Sequence, residues 1–201
     1  MANEIGVSLL GLGVVGSGIA QQLIAKEHTY TQQVGSKLVL NHVLVRDKNK
    51  NRDIQISQQL FADSIDQIIN DDKTDIVIEV IGGEEPAKSF ITQALNSKKH
   101  VVTANKELIA KHGPELISVA RENNVRILFE ASVAGGTPII APVLRDFSSN
   151  NITSIKAIIN GTTNYILSRM STENADYFEV LKDAQKLGYA ESDPTNDVEG
   201  I

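Results

Sequence analysis
Several groups of residues have types and spacings that could do chemistry. Gly11, Gly13 and Gly16 form a G-x-G-x-x-G pattern between an apolar run at 5–10 and a helical stretch at 14–26. Between a strand and a helix, the first glycine makes a tight turn and the second lets the backbone approach a pyrophosphate. The third allows close helix–strand packing, and the helix N-terminus turns free N–H groups and partial positive charge toward phosphates. A glycine turn that merely joins two elements is the alternative, and the context favours dinucleotide binding. After the second strand come Arg46-Asp47, with Lys48 and Lys50 close behind. A carboxylate here suits the free 2′-hydroxyl of NAD, whereas an arginine can pair with the 2′-phosphate of NADP. Arg46 and the lysines tilt the balance toward NADP. Asp47 could still hold a ribose hydroxyl, and the lysines could belong to a solvated loop.

Gly82-Gly83 and Thr103-Ala104-Asn105-Lys106 follow the third and fourth apolar runs, and ligands of open α/β sheets bind outside the carboxyl ends of strands. Lys106 opens a helix, where the macrodipole disfavours a cation. It could hold a substrate carboxylate or carbonyl oxygen, or move a proton if burial lowered its pKa; a surface lysine at a loop end is the alternative. His100, beside Lys98 and Lys99, reads as a surface residue. Later, Asn160-Gly161-Thr162-Thr163-Asn164-Tyr165 suits either a polar substrate or a plain helix cap by Thr162 or Thr163. In the acidic turn after Gly188, Glu191 could bind a substrate ammonium group if it faces the site, and is otherwise simply solvated.

The elements that must position these residues can be read from the pattern. Short β-branched runs at 5–10, 38–45, 75–81, 100–103 and 125–130 alternate with helical stretches at 14–26, 64–70, 86–96 and 106–123, the last interrupted by Gly113-Pro114. Strands this apolar, each followed by a helix, are buried on both faces, which predicts a doubly wound parallel α/β sheet. Residues 27–37 read as a polar connection. From about residue 131 glycines and prolines crowd together, so the division expected is 1–130 for the nucleotide domain and 131–201 for the start of an α+β domain. In that second part a strand is expected at 152–159 and helices at 163–170 and 177–187, the last stopped by Gly188, with a polar, aperiodic tail at 190–201. One strand and two helices make an unfinished domain, so the chain is expected to be the N-terminal part of a longer protein.

The 201 residues are 41% hydrophobic and 22% charged, with no Cys and no Trp, and 19 basic against 25 acidic side chains give a net charge of −6. That composition excludes disorder, disulfides, thiolate zinc sites and a thiol nucleophile. The charge argues against nucleic acid or an anionic membrane as the main partner. The start of the chain lacks the pattern of a secretory signal, and no run approaches the roughly twenty apolar residues of a membrane span. A cytoplasmic location is expected.

Six stretches together resemble the homoserine dehydrogenase family, specifically its single-function bacterial type. They are GLGVVGSG at 11–18, EVIGG at 79–83, VTANKEL at 102–108, EASVAGGTPII at 130–140, NGTTNYIL at 160–167 and LGYAESDPTNDVEG at 187–200. They run in family order over essentially the whole chain, and the last three are far more specific than the glycine loop. The resemblance implies a Rossmann-type domain followed by the start of a substrate and dimerisation domain. It implies NAD(P)-dependent interconversion of L-homoserine and L-aspartate 4-semialdehyde, in threonine, methionine and isoleucine biosynthesis, by hydride transfer. By motif, it implies that Gly11, Gly13, Val14, Val15 and Gly16 hold the pyrophosphate, and that Arg46 meets the adenosine ribose or its phosphate. It also implies that Lys106 sits between nicotinamide and substrate, Gly188 lines the cofactor side and Glu191 binds the substrate amino group. A sodium or potassium ion on carbonyl oxygens of Glu130, Val133, Gly135 and Thr137 is implied in the same way, as is a homodimer or higher oligomer of the full-length protein. In the family an Asp that binds substrate and a Lys assigned as proton donor follow the stretch that ends here at Ile201. The chain alone is therefore expected to bind cofactor weakly and to turn over poorly or not at all. A non-catalytic dinucleotide-binding module and a Rossmann oxidoreductase for another carbonyl compound are the competing readings.

Overall fold
The computed structural model describes residues 4–52, 54–190 and 194–200. The chain divides into two compact units, Met1–Ser148 and Ser149–Ile201. In the first, five strands form one sheet: β1 (Glu4–Leu10), β2 (Lys37–Leu44), β3 (Ile76–Glu79), β4 (His100–Thr103) and β5 (Ile127–Leu128). Their order is β2-β1-β3-β4-β5 and every pairing is parallel. An isolated parallel bridge between Val43 and Phe61 extends the sheet beyond β2.

Parallel strands need crossover connections, and here helices supply them on both faces. Leu9 and Leu10 are adjacent on β1 and leave opposite faces, each fully buried. Leu9 joins Leu12, Ala20, Leu40 and Val43 on the side of α1 (Val14–Ala25). Leu10 joins the larger cluster, which takes Ile65 and Ile68 of α3 (Ile65–Ile69), Ile91 and Leu95 of α4 (Ala87–Asn96), and Leu108 and Leu116 of α5 (Lys106–Glu122). This is the doubly wound arrangement that the apolar strands predict.

Several local expectations need correction. Residues 27–37 are not a plain connection: α2 (Glu27–Val34) forms there and stops at Gly35, which adopts φ 77°. It buries no residue, so no apolar periodicity announced it. The helix at 106–123 is not interrupted, because α5 runs through Gly113-Pro114. Leu108 before the proline and Leu116 and Ala120 after it lie in one core cluster, and their burial outweighs the proline's cost of about 3 kcal/mol. The fifth strand shrinks to two residues, followed by a 3₁₀ turn at Glu130–Ser132. A π-helical turn at Pro142–Asp146 ends the unit's helical structure.

The second unit contains α6 (Gly161–Glu173), α7 (Tyr177–Leu187) and a short α8 (Thr195–Val198) within the tail read as aperiodic. Ile166, Val180, Ala184 and Ala190 form its small core. The strand expected at 152–159 is absent: 151–160 takes no ladder partner among the described residues, and Ile152, Ile155, Ile158 and Ile159 are exposed. A strand exists only through hydrogen bonds to a neighbour, so β-branched composition alone does not make one.

Candidate active site
The order β2-β1-β3 puts the reversal of strand order between β1 and β3, the place where doubly wound sheets bind ligands. The glycine loop leaves β1 at this point. Gly11 has φ 101°, open to glycine at little strain, and a Cβ built on it would lie 2.8 Å from the Val80 carbonyl oxygen. Gly16 is tighter still, since its Cβ would meet the Gly11 carbonyl oxygen at 2.2 Å. Gly13 is different: it is the N-cap of α1 and has nothing within 4 Å of a built Cβ. Val14 beside it is 94% exposed and Val15 is also exposed. No side chain caps α1 and its first turn carries no acid, so its leading N–H groups remain available to an anion.

The ends of β3 and β4 meet the same switch point. Gly82 and Gly83 follow β3 with φ 79° and 72°. Asn105 caps α5 by accepting from Leu108 N at 3.1 Å, and its Nδ2 donates to the Gly83 carbonyl at 2.6 Å. Lys106, the first residue of α5, is therefore held beside the glycine pair, with its side chain exposed. Sequence reasoning missed the buried Glu79, which ends β3 and accepts from Ile81 N at 2.7 Å and from the Thr103 hydroxyl at 2.6 Å. The signal available was an acid closing an apolar strand, Ile76-Val77-Ile78-Glu79.

On the β2 side, Arg46 and Asp47 are exposed. Asp47 Oδ1 accepts from Asn49 N at 2.8 Å in a local turn, while Lys48 is engaged with Asp63. Arg52, also missed, donates to the carbonyls of Leu12, Lys50 and Asp47 at 3.1, 2.9 and 2.7 Å. It pins the glycine loop to the loop that carries Arg46, and no sequence signal marks a guanidinium bound only to carbonyls. Leu12, Lys50, Arg52 and Phe61 are among the residues lining a cleft of about 680 Å³ here.

Glu130 closes the loop at 130–141. Its carboxylate accepts from the N–H groups of Ile139, Ala141 and Ile140 at 2.6, 2.7 and 2.9 Å, which hold its pKa below the usual carboxylate value. Within that loop the Glu130 carbonyl accepts from Val133 N at 3.2 Å, and Ala134 and Gly135 both have φ 56°. Among the described residues no group of three or more His, Asp or Glu side chains could hold a metal ion.

In the second unit the cap of α6 is Asn160, whose Oδ1 accepts from Thr163 N at 2.9 Å, rather than Thr162 or Thr163. Asn160 Nδ2 also donates to Asp197 at 2.9 Å. Thr162 is instead buried, its hydroxyl on the Tyr189 carbonyl. Gly188 ends α7 with φ 78°, as a C-terminal glycine stop predicts. Glu191 lies outside the described residues. His100 is exposed and its Nδ1 accepts from Arg126 N at 3.1 Å, a structural contact at the strand's start.

Residues 11–130 match the family model described as homoserine dehydrogenase, NAD binding domain, and residues 138–201 match that described as homoserine dehydrogenase. The chain belongs to the homoserine dehydrogenase family. It is 48% identical over 197 residues to the homoserine dehydrogenase of Bacillus subtilis, covering 98% of this chain and 46% of that protein. With the Synechocystis homoserine dehydrogenase it shares 45% identity, covering 97% and 45%. The chain thus spans about half the length of these curated relatives. The crystal structure of a homoserine dehydrogenase from Thiobacillus denitrificans superposes with a TM-score of 0.87 at 41% identity, covering all of this chain and 46% of that one. A hyperthermophilic archaeal homoserine dehydrogenase, solved in complex with NADPH, aligns at 30% identity with a TM-score of 0.79, covering 98% of this chain and 66% of that one. No helix among the described residues is long and apolar enough to cross a membrane.

Proposed function
We propose that the protein interconverts L-homoserine and L-aspartate 4-semialdehyde with NADP, NAD being the alternative cofactor, on the route to threonine, methionine and isoleucine. Residues 1–130 bind the dinucleotide and 131–201 begin the substrate-binding and catalytic domain. The observation that carries this reading is the uncapped, acid-free N-terminus of α1 behind Gly11-Leu12-Gly13, at the switch point of a sheet in a chain of this family. When bound, the reduced nicotinamide would give a hydride to the aldehyde carbon and its oxidised form would take one back from the alcohol.

The chain's own residues divide the remaining work. Gly11, Gly13, Val14, Val15 and Gly16 hold the pyrophosphate, with Gly13 and Val14 leaving open space for its approach. Arg46 meets the 2′-phosphate. Asp63 occupies Lys48, whereas no ion pair engages Arg46 or Lys50 among the described residues, which supports NADP. Lys106, exposed at the start of α5, is the catalytic cation that holds a substrate oxygen. Gly188 lines the cofactor side and Glu191 takes the substrate ammonium group.

A sodium or potassium ion at 130–137 is part of this proposal. Both carboxylate oxygens of Glu130 are committed to backbone N–H groups, so the proposed ligands are the main-chain carbonyl oxygens of Glu130, Val133, Gly135 and Thr137. The protein is assigned to the cytoplasm, as a homodimer or larger oligomer in its full length, without nucleic-acid or membrane partners.

The test is oxidation of NADPH and NADH with L-aspartate 4-semialdehyde, measured on this chain and on the protein extended to the full length of its relatives. The expected result is turnover by the extended protein, faster with NADPH, and poor or no turnover by this chain. If the extended protein oxidised cofactor only with other aldehydes, a different Rossmann oxidoreductase would be the answer. Dinucleotide binding without turnover on any aldehyde would leave a binding module.

A further inference from the structure
Glu79 is the one fully buried acidic side chain among the described residues, and no lysine, arginine or histidine pairs with it. Burying a carboxylate is costly unless its acceptor positions are filled, and an apolar residue would pack the end of a strand more cheaply. Its partners form a closed ring. Oε1 accepts from Ile81 N at 2.7 Å and Gly82 N at 3.3 Å, and Oε2 accepts from the Thr103 hydroxyl at 2.6 Å. The Thr103 oxygen accepts in turn from Asn105 N at 3.0 Å, and Asn105 Nδ2 closes the circuit on the Gly83 carbonyl at 2.6 Å.

The ring therefore fixes two backbone segments at once: the left-handed pair Gly82-Gly83 after β3, and the turn into α5 that presents Lys106. Both lie on the β3–β4 side of the switch point. The glycine loop and Arg46 lie on the β1–β2 side, which takes the pyrophosphate and adenosine end of a dinucleotide. The ring's own hydrogen bonds run among residues 79–83 and 103–105, and the segment meets the glycine-loop side at Val80, whose N–H donates to the Leu10 carbonyl at 2.9 Å in the β1–β3 ladder.

We propose that Glu79 is a positioning residue for the nicotinamide half of the cofactor, acting through the Ile81–Gly83 backbone and through Thr103 and Asn105 on Lys106. The inference rests on the dinucleotide reading above and deepens it. A carboxylate is required because all three of its partners donate: a glutamine of the same size must turn its NH₂ toward either the amides of Ile81 and Gly82 or the Thr103 hydroxyl. In the second arrangement the Thr103 proton loses its acceptor, and in the first two donors face each other.

The experiment measures the Kd of the protein, extended to the full length of its relatives, for NADPH and for 2′,5′-ADP, which carries only the adenosine half, together with thermal melting. Glu79→Gln is expected to weaken NADPH about tenfold, the effect of leaving a buried donor unpaired, while 2′,5′-ADP changes by less than about twofold. Thr103→Val removes both the donor to Glu79 and the acceptor for Asn105 N, and is expected to show the same selectivity at about threefold. It also keeps the inference testable should Glu79→Gln fail to fold. Equal weakening of both ligands, or no change in either, overturns the positioning role, because a merely structural carboxylate would not discriminate between the two halves. A wild-type extended protein that binds neither ligand overturns the dinucleotide reading and this inference with it. A wild type that binds both, with variants that do not discriminate, sinks this inference alone.

Discussion
In residues 1–148 the apolar strands lie against hydrogen-bonded neighbours, and Leu9 and Leu10 leave opposite faces of the sheet into separate buried clusters. In residues 149–201 a segment just as rich in β-branched residues stands unpaired, with Ile159 93% exposed, and the core is a few side chains between helices. The same composition gives opposite outcomes. Side-chain shape makes a strand affordable, but the ladder and the second covering layer make it stable. The first unit supplies both for β1 to β4, whereas the described part of the second supplies neither for 151–160.

Truncation of an isoleucine or leucine tests this contrast most strongly. Leu9→Ala should lower the unfolding free energy of the first unit by about 2–5 kcal/mol, as for a core leucine. Ile158→Ala should change stability by no more than about 0.5 kcal/mol, as for a surface position. Chemical denaturation followed by circular dichroism measures both, and a comparable loss at Ile158 would break the contrast.

The glycines sharpen it at smaller magnitude. Gly16→Ala drives a Cβ to 2.2 Å from the Gly11 carbonyl oxygen and should cost about 1–3 kcal/mol in thermal unfolding. Gly13→Ala meets nothing within 4 Å and should leave the melting temperature unchanged. It should nevertheless weaken NADPH about tenfold, because the added methyl occupies the pyrophosphate's approach. If Gly13→Ala melted early and bound normally, the roles of the two glycines would be reversed.

Surface charge gives the smallest effect, and there the two units should agree. His112, whose Nε2 is 2.6 Å from Glu84, and then Lys111 hold the Glu84 carboxyl down at about 2 against an ordinary 4.5. In the second unit Arg169 lowers Glu173 in the same direction. A depressed carboxyl stabilises fully above its unfolded value, and that contribution fades as pH falls from 4.5 through about 2. A carboxyl-carbon NMR titration should therefore find the Glu84 midpoint near 2, moving upward in His112→Ala. Both groups are solvated, so the effect on stability is small; an ordinary Glu84 midpoint would remove it.

Much of the site was legible because its parts are local. The G-x-G-x-x-G spacing, the strand before it and the helix after it lie within about twenty residues of sequence, and chain geometry alone ties them together. Gly188 as a helix stop was legible for the same reason, since a left-handed C′ residue is a property of one position. Glu79, Arg52 and Asn160 were not, because each acts on atoms chosen by the fold. Thr103 lies 24 residues from Glu79 and Leu12 lies 40 from Arg52. Asp197 lies 37 from Asn160.

The sequence by itself determined the class of fold, the glycine turn into α1 and the family motifs, since apolar periodicity and backbone permissiveness are written residue by residue. Only the tertiary structure decided the strand order that creates the switch point, the proline carried through α5, the fate of 151–160, and the ring around Glu79. Each depends on which distant group fills a hydrogen bond or covers an apolar face, and that choice belongs to the packing of the whole chain.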